Sequence, residues 1–254
     1  LLEKYPLPMD ISDVVAILEQ IAPPALAEDF DAGRIGLTLD LENDIQKIAV
    51  SLDPTKYVLK RAEEIGADLL VTHHTLIFHP LNMIRKPLAD VLKIAMDNNI
   101  SLYSMHTNFD KAQNGINDAL ARRIGLSNVI ETDVGRIGTI TPCSAGTFVN
   151  HIAKSLNTHV QFTGRKEEIS RVMVFGGSGF KDEYLAVAKK HGVDAYVSAE
   201  LKHDIIRSWE DMLLVDATHY ATENPGMQDL CSLLEERLRL DVEFIDHNPF
   251  ISVL

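Results

Sequence analysis

Apolar residues recur at helical spacing from Ile11 to Ile21 and stop at Pro23-Pro24, the pattern of an amphipathic helix closed by residues that cannot continue it. An unbroken apolar stretch at 47–52 (KIAVSL) then reads as a buried strand. Asp53-Pro54 supplies an N-cap and a proline at the first helical position, predicting a helix to about Gly66. Residues 67–72 (ADLLVT) form a second buried strand. Strand, helix, strand is a βαβ unit, whose crossover makes its two strands parallel.

The alternation continues. Helical spacing covers 87–98, a strand follows at 100–105, and another helix at 114–123 ends near Gly125. Residues 129–143 change character: Gly135, Gly138 and Pro142 mark irregular structure or short edge strands, and a domain transition is expected at 126–134. Beyond it, helices at 144–157, 182–191, 201–207 and 220–238 alternate with strands at 159–162, 171–175, 194–197, 212–216 and 241–245. Such alternation predicts an α/β fold with mostly parallel sheets covered on both faces. Residue 1 is Leu while Met9 opens the first helical segment, so 1–8 reads as an extension upstream of the folded part.

Composition narrows the function classes. In 254 residues the net charge is −13, with no block of Lys or Arg set against it. Nucleic acid is an unfavoured partner, because phosphate binding draws most of its affinity from a basic face. No apolar run reaches the length that spans a bilayer, and two cysteines, Cys143 and Cys231, cannot form a disulfide framework. A cytoplasmic protein is the expectation.

The chemistry concentrates in three segments that each follow a buried strand. In the first, Thr72-His73-His74, adjacent side chains inside a strand would point to opposite faces; at a strand end both imidazoles can serve one crevice. The second is His106-Thr107-Asn108-Phe109-Asp110, an imidazole and a carboxylate four residues apart. The third is Asp216-Ala217-Thr218-His219-Tyr220-Ala221-Thr222-Glu223, where His219 and Glu223 share one face if a helix starts at the strand end. Carboxyl ends of strands are where α/β sheets gather ligands. Pooling His73, His74, His106, Asp110, His219 and Glu223 gives more groups than one tetrahedral ion takes, so two divalent ions sharing a carboxylate is the economical reading. Mixed nitrogen and oxygen donors suit Zn, Fe, Mn, Ni or Co. Glu200 and His203 also follow a strand and are candidate acid/base groups with His106. The loop Gly176-Gly177-Ser178-Gly179 fits no phosphate-binding signature and reads as a tight turn.

With these residues in view, the chain resembles the Nif-three-like dinuclear-metal family, whose members carry the label GTP cyclohydrolase I type 2 homologue. The likeness rests on residues 21–28 (IAPPALAE), His73-His74, the HTNFD segment at 106–110, the glycine loop at 176–179, and the HYATE segment at 219–223, in that order. The resemblance implies two similar, intertwined α/β/α domains, set here at 9–128 plus 208–254 for the metal-site domain and 129–207 for the second. It also implies a dinuclear centre on His73, His74, Asp110, His219 and Glu223, with Glu223 bridging, and a ring-shaped homo-oligomer, commonly a hexamer. A metal-dependent hydrolase acting on a nucleotide-like substrate follows; the alternative is a non-catalytic protein that stores or delivers metal or docks a partner. The chain departs from the family pattern at Gly33-Arg34-Ile35-Gly36, where an Asn-Val-Gly-Leu-like stretch is usual. It departs again at Ser198-Ala199-Glu200, where Thr-Gly-Asp/Glu is usual.

Overall fold

The computed structural model describes residues 7–249 and divides the chain into two units, Leu1–Gln113 with Met227–Asn248, and Asn114–Gly226 with Pro249–Leu254. Residues 1–6 of the expected extension lie outside the described part. In the first unit β1 (Met9–Asp10) leads to α1 (Ile11–Ile21), β2 (Gly36–Leu39), β3 (Asp44–Ile45), β4 (Lys47–Ser51) and α2 (Lys56–Ile65). Then come β5 (Leu69–Thr72), α3 (Lys86–Asp97), β6 (Ser101–Ser104) and the short α4 (Thr107–Lys111). The second unit holds α5 (Ile116–Arg123), β7 (Ser127–Glu131), β8 (Arg136–Ser144), α6 (Ala145–Ser155), β9 (Gln161–Thr163) and β10 (Glu168–Val174). It continues through α7 (Asp182–Lys190), β11 (Ala195–Ser198), α8 (His203–Ser208) and β12 (Leu213–Asp216) to the start of α9 (His219–Leu238). From Met227 onward α9 is counted with the first unit, as is β13 (Asp241–Phe244).

The first sheet runs β13-β4-β5-β6-β2. Strands β13, β4, β5 and β6 are parallel, and β2 closes the edge antiparallel to β6. Alternation sorts its side chains: Ala49, Leu70 and Leu102 pack with Val58, Leu59 and Ala62 of α2 and Val91 and Ala95 of α3. Helix α2 starts two residues later than the Asp53-Pro54 signal suggests. Thr55 is the N-cap, its hydroxyl accepting from the Val58 amide, and Gly66 ends the helix in the left-handed conformation. Asp53 is thereby left for other work.

The second sheet runs β7-β8-β10-β11-β12-β9. Here the expectation of mostly parallel strands fails. Only β10-β11 and β11-β12 are parallel, while β7-β8, β8-β10 and β12-β9 are antiparallel. Gly135 lies in the turn between the short edge strand β7 and β8, as expected, but Gly138 and Pro142 end no strand; β8 runs nine residues through both. A side chain at Gly138 would collide with Leu126, so that glycine serves close packing in a strand. One face carries Phe148, Val149 and Ile152 of α6 with Leu120, Ala121 and Ile124, against Val172, Val174, Val197 and Val215. The other carries Leu185 and Ala188 of α7 with Ile205, against Met173, Tyr196 and Leu214. This is a three-layer α/β/α unit.

The chain crosses between units earlier, and returns later, than expected. Helix α5 was expected before the transition, yet its Leu120 and Ala121 pack into the second unit's core. Strand β12 was expected after the return at 208, yet it pairs with β11 and β9. Strand pairing and core burial decide membership, and neither is marked by a composition break in the chain.

The same backbone frame recurs in both units. Asp68 at the head of β5 accepts from the amides of Gln46 and Lys47, at 2.8 and 2.9 Å. Asp194 at the head of β11 accepts from the amides of Ser170 and Arg171, at 3.0 and 2.8 Å. At the other strand end, Met105 N bonds Thr72 O in the first unit and Ala217 N bonds Ser198 O in the second, each at 2.9 Å. Gly-Ala-Asp-Leu-Leu-Val-Thr at 66–72 and Gly-Val-Asp-Ala-Tyr-Val-Ser at 192–198 are the corresponding stretches.

Asp194 yields a pH prediction. Burial pushes its carboxyl up, but the Lys166 ammonium and the amides of Arg171 and Ser170 outweigh that and hold it below its ordinary value of 3.8. A carboxyl lowered on folding contributes stability above its unfolded pKa, and loses it as pH falls through the folded value. Asp194→Ala is therefore expected to cost about 2 kcal/mol at neutral pH. The gap to wild type should narrow below roughly pH 4 in urea titrations run across a pH series.

Candidate metal centre

In the first unit, β5 ends at Thr72, which is paired in register with Ser104 of β6. The next residues, His73 and Met105, therefore leave the sheet side by side. His73 is fully buried and its Nδ1 lies 2.9 Å from Met105 O. His74 places Nδ1 2.7 Å from Asp53 Oδ1, the carboxylate that α2 does not use as its cap. His106, just before α4, places Nδ1 2.9 Å from Asp31 Oδ2. Carbonyl and carboxylate oxygens only accept, so each of these Nδ1 atoms carries the hydrogen, which in a neutral ring leaves the lone pair to Nε2. His73, His74 and His106 bring one ring nitrogen apiece within 4.8 Å of one another.

Each residue of the HTNFD segment has a defined contact. The Thr107 hydroxyl and amide both donate to Asp31, and Thr107 Oγ1 accepts from the Glu28 amide at 2.9 Å. Asn108 Nδ2 donates to Ala22 O at 2.7 Å, and Phe109 is buried in the core. So fixed, α4 brings Asp110 Oδ1 to 3.5 Å from His73 Nε2. Burial pushes the fully buried Asp31 carboxyl up, yet the bonds from His106 and Thr107 dominate and hold it below its usual range. Asp31 is thus an anion kept in place by the residues it orients.

In the second unit, β10, β11 and β12 end together, and the loops beyond them carry Gly177, Glu200 and His219. His219 Nδ1 lies 2.7 Å from Glu200 Oε1, and its Nε2 lies 3.0 Å from Glu223 Oε1, one turn along α9. The predicted i, i+4 pair is realised. Burial raises the Glu200 carboxyl, but the bonds from His219 and Ser178 prevail and hold it below its ordinary value despite repulsion from Glu223. Glu200 and Thr218 both adopt positive φ, 63° and 68°, a conformation costly for a β-branched residue. Asp216 holds both loops there: Oδ2 accepts from the Leu201 amide at 2.9 Å and Oδ1 from the Thr218 amide at 3.0 Å.

The glycine loop is packed against this cluster. Gly176, Gly177 and Gly179 spend their amides on Asn117 Oδ1, Thr222 Oγ1 and Ser198 Oγ, at 2.9, 3.0 and 3.0 Å. They are engaged within the protein, as the tight-turn reading expects. A Cβ on Gly177 would collide with Glu223 Oε1 and lie 3.0 Å from His219 Nε2.

Of the residues singled out from the sequence, His73, His74, His106 and Asp110 gather in the first unit, and His219, Glu223 and Glu200 in the second. His203 does not join them; it is exposed at the first position of α8, without a hydrogen bond or ion pair to the cluster among the described residues. The orienting carboxylates Asp31, Asp53 and Asp216 were not singled out. Their sequence signal is faint: each is an Asp in a turn or at a strand end, where capping is the commoner role. Among the described residues no helix is long and apolar enough to cross a membrane.

The model of the Duf34/NIF3 (NGG1p interacting factor 3) family matches residues 9–249. The chain belongs to this family. A Duf34/NIF3 relative from Clostridium perfringens, named GTP cyclohydrolase 1 type 2 homolog, is 33% identical over 93% of this chain and 95% of its own length. One of the same name from Methanocaldococcus jannaschii is 34% identical, over 94% and 100%. Among solved structures, reduced HcgD from M. jannaschii aligns with TM-score 0.83 at 31% identity, covering 95% of this chain and 99% of that one. A Bacillus cereus protein related to NIF3 shares the fold, with TM-score 0.90 at 20% identity over 98% and 100%. The Duf34/NIF3 chain thus carries buried His, Asp and Glu groups that could hold metal.

Gly177→Ala should lower metal uptake about tenfold or more, because its methyl must displace the Glu223 carboxylate. Gly146→Ala, in α6 with open space at the Cβ position, should leave uptake unchanged. Metal titration of both variants by calorimetry compares them.

Proposed function

We propose that the protein holds two divalent cations on His73, His74, Asp110, His219 and Glu223, with Glu223 as the shared carboxylate, and hydrolyses a nucleotide-like substrate there. The observation that carries this reading is the common state of the imidazoles. His73, His74, His106 and His219 each commit Nδ1 to an acceptor-only oxygen. That is the outer-shell arrangement that fixes the tautomer of metal-binding histidines and raises their basicity. A purely structural histidine needs no such uniformity.

When bound, paired cations would lower the pKa of water and polarise a substrate oxygen. The protein's own contribution is to orient and to move protons. His106 is the proton-transfer candidate: its Nδ1–H is anchored on the ionised Asp31, so Nε2 can accept a proton while the carboxylate stabilises the resulting imidazolium. Glu200 acts as a positioning residue, since it touches His219 and is held as an anion. The GTP cyclohydrolase name of the relatives supports a purine nucleotide as the first substrate to try. A homohexameric ring, in the cytoplasm, belongs to the same proposal.

Protein purified without added metal should carry about two ions per chain by elemental analysis and consume GTP or a related nucleotide. His74→Ala and Glu223→Ala should abolish turnover and lose metal while the oligomer seen by sedimentation persists. Asp53→Asn, which removes the charge behind His74, should weaken metal affinity about 10–100-fold. Two bound ions with no hydrolysis of any nucleotide would favour a storage or regulatory protein.

A further inference from the structure

Beside the first-unit cluster, two aromatic rings stand out of the core. Phe30 is 44% exposed and Phe78 41%. Their centroids are 6.4 Å apart, and each lies 6.2 Å from the His106 ring. Phe30 belongs to the 3-10 turn Asp29–Asp31, so it directly precedes the carboxylate that fixes His106. Phe78 lies in the loop that follows His73-His74. The same turn places Arg34, whose amide bonds Asp31 O at 2.9 Å. The Arg34 guanidinium sits 4.3 Å from the Phe78 centroid and 6.0 Å from that of Phe30.

Arg34 is half-buried, and among the described residues no carboxylate pairs with it, although the chain has a net charge of −13. Stacking on a ring satisfies the face of a guanidinium and leaves its N–H donors pointing outward in the plane. Those donors match the oxygens of a phosphate or carboxylate. Exposed aromatic faces beside them offer a surface on which a planar heteroaromatic ring stacks.

We infer that Phe30, Phe78 and Arg34 form the recognition element of the centre, taking a ligand that joins a planar heteroaromatic ring to an anionic group, as a purine nucleoside monophosphate does. The rings receive the base and Arg34 receives the phosphate. His106 then lies at the boundary between recognition and chemistry, since both rings meet its imidazole. This inference rests on the nucleotide reading above and gives it a specificity determinant. Exposed Leu81, Met83 and Ile84 extend the apolar surface along the Phe78 loop, so docking of a second copy of the chain is the rival occupant to be tested.

Binding of GMP, guanosine and inorganic phosphate to the full chain, with metal loaded and after chelation, tests the inference by calorimetry. GMP should bind saturably. Arg34→Gln should weaken GMP about tenfold or more and leave guanosine unchanged, and Phe78→Ala should weaken both. Both side chains are partly exposed and lie outside the proposed ligand set, so folding and metal content should be retained, checked by circular dichroism and elemental analysis. Absence of saturable GMP binding to the wild type would overturn the inference, as would equal GMP affinity in all three proteins. A loss of oligomer in either variant, with GMP affinity unchanged, would assign the surface to a second copy instead. Because the readout is binding, GMP binding in this pattern together with no hydrolysis in the nucleotide assay above would refute the hydrolase reading and leave the recognition element standing.

Discussion

The candidate centre depends on how its imidazoles are held. A neutral imidazole has two tautomers, and only the nitrogen without a hydrogen can bind a cation. Free in water the ring would sample both tautomers and many rotamers. Here Met105 O, Asp53 and Asp31 fix the choice for His73, His74 and His106, and Glu200 meets Nδ1 of His219, whose Nε2 faces the Glu223 carboxylate. Three of these acceptors are carboxylates, which strengthen the bond and increase electron density at the opposite nitrogen. Much of the surrounding structure secures the acceptors themselves: the bonds of α4 immobilise Asp31, and the shift of the α2 cap to Thr55 releases Asp53.

The elements that carry the chemistry were legible because they combine a strong local signal with rare residues. Paired histidines after a buried strand, HTNFD after another, and His219 with Glu223 one turn apart are each visible within a few residues. What supports them was not. Asp31 lies 75 positions before His106 and Asp53 lies 21 before His74, and in the sequence each is one turn aspartate among many. The second sheet misled for a related reason: a strand buried on both faces has the same apolar run whether its neighbour is parallel or antiparallel. Hence β10, β12 and the short strand at β9 are legible as strands, but the antiparallel pairing of β10 with β8 and of β12 with β9 is not. The unit boundaries were hidden because α5 and β12 continue a composition that does not change at 114 or at 226.

The repeated frame explains why loops bearing imidazoles and carboxylates follow the strand ends of both units. Asp68 and Asp194 tie the start of one strand to the start of its parallel neighbour, which sets where the opposite ends emerge. Beyond those ends, the second residue after β5 is His74, and the second after β11 is Glu200. His74 is bonded by Asp53 from the loop after β4, and Glu200 by Ser178 from the loop after β10. Equivalent backbone slots thus carry an imidazole in one unit and a carboxylate in the other. The two departures from the family pattern fall at Arg34, bonded to Asp31, and at Ser198-Ala199-Glu200, bonded to His219 through Glu200, both outside the proposed ligand set.

Asp216 has a wider consequence. By holding two loops in a left-handed conformation, it fixes the backbone from which Glu200 and His219 project. If these groups hold a cation, as proposed, a backbone so fixed would lose little disorder on loading and could not readily stretch or contract around a misfitting ion. Discrimination among cations of equal charge would then come from size and preferred coordination geometry, with the stiffness of a single turn as its physical origin.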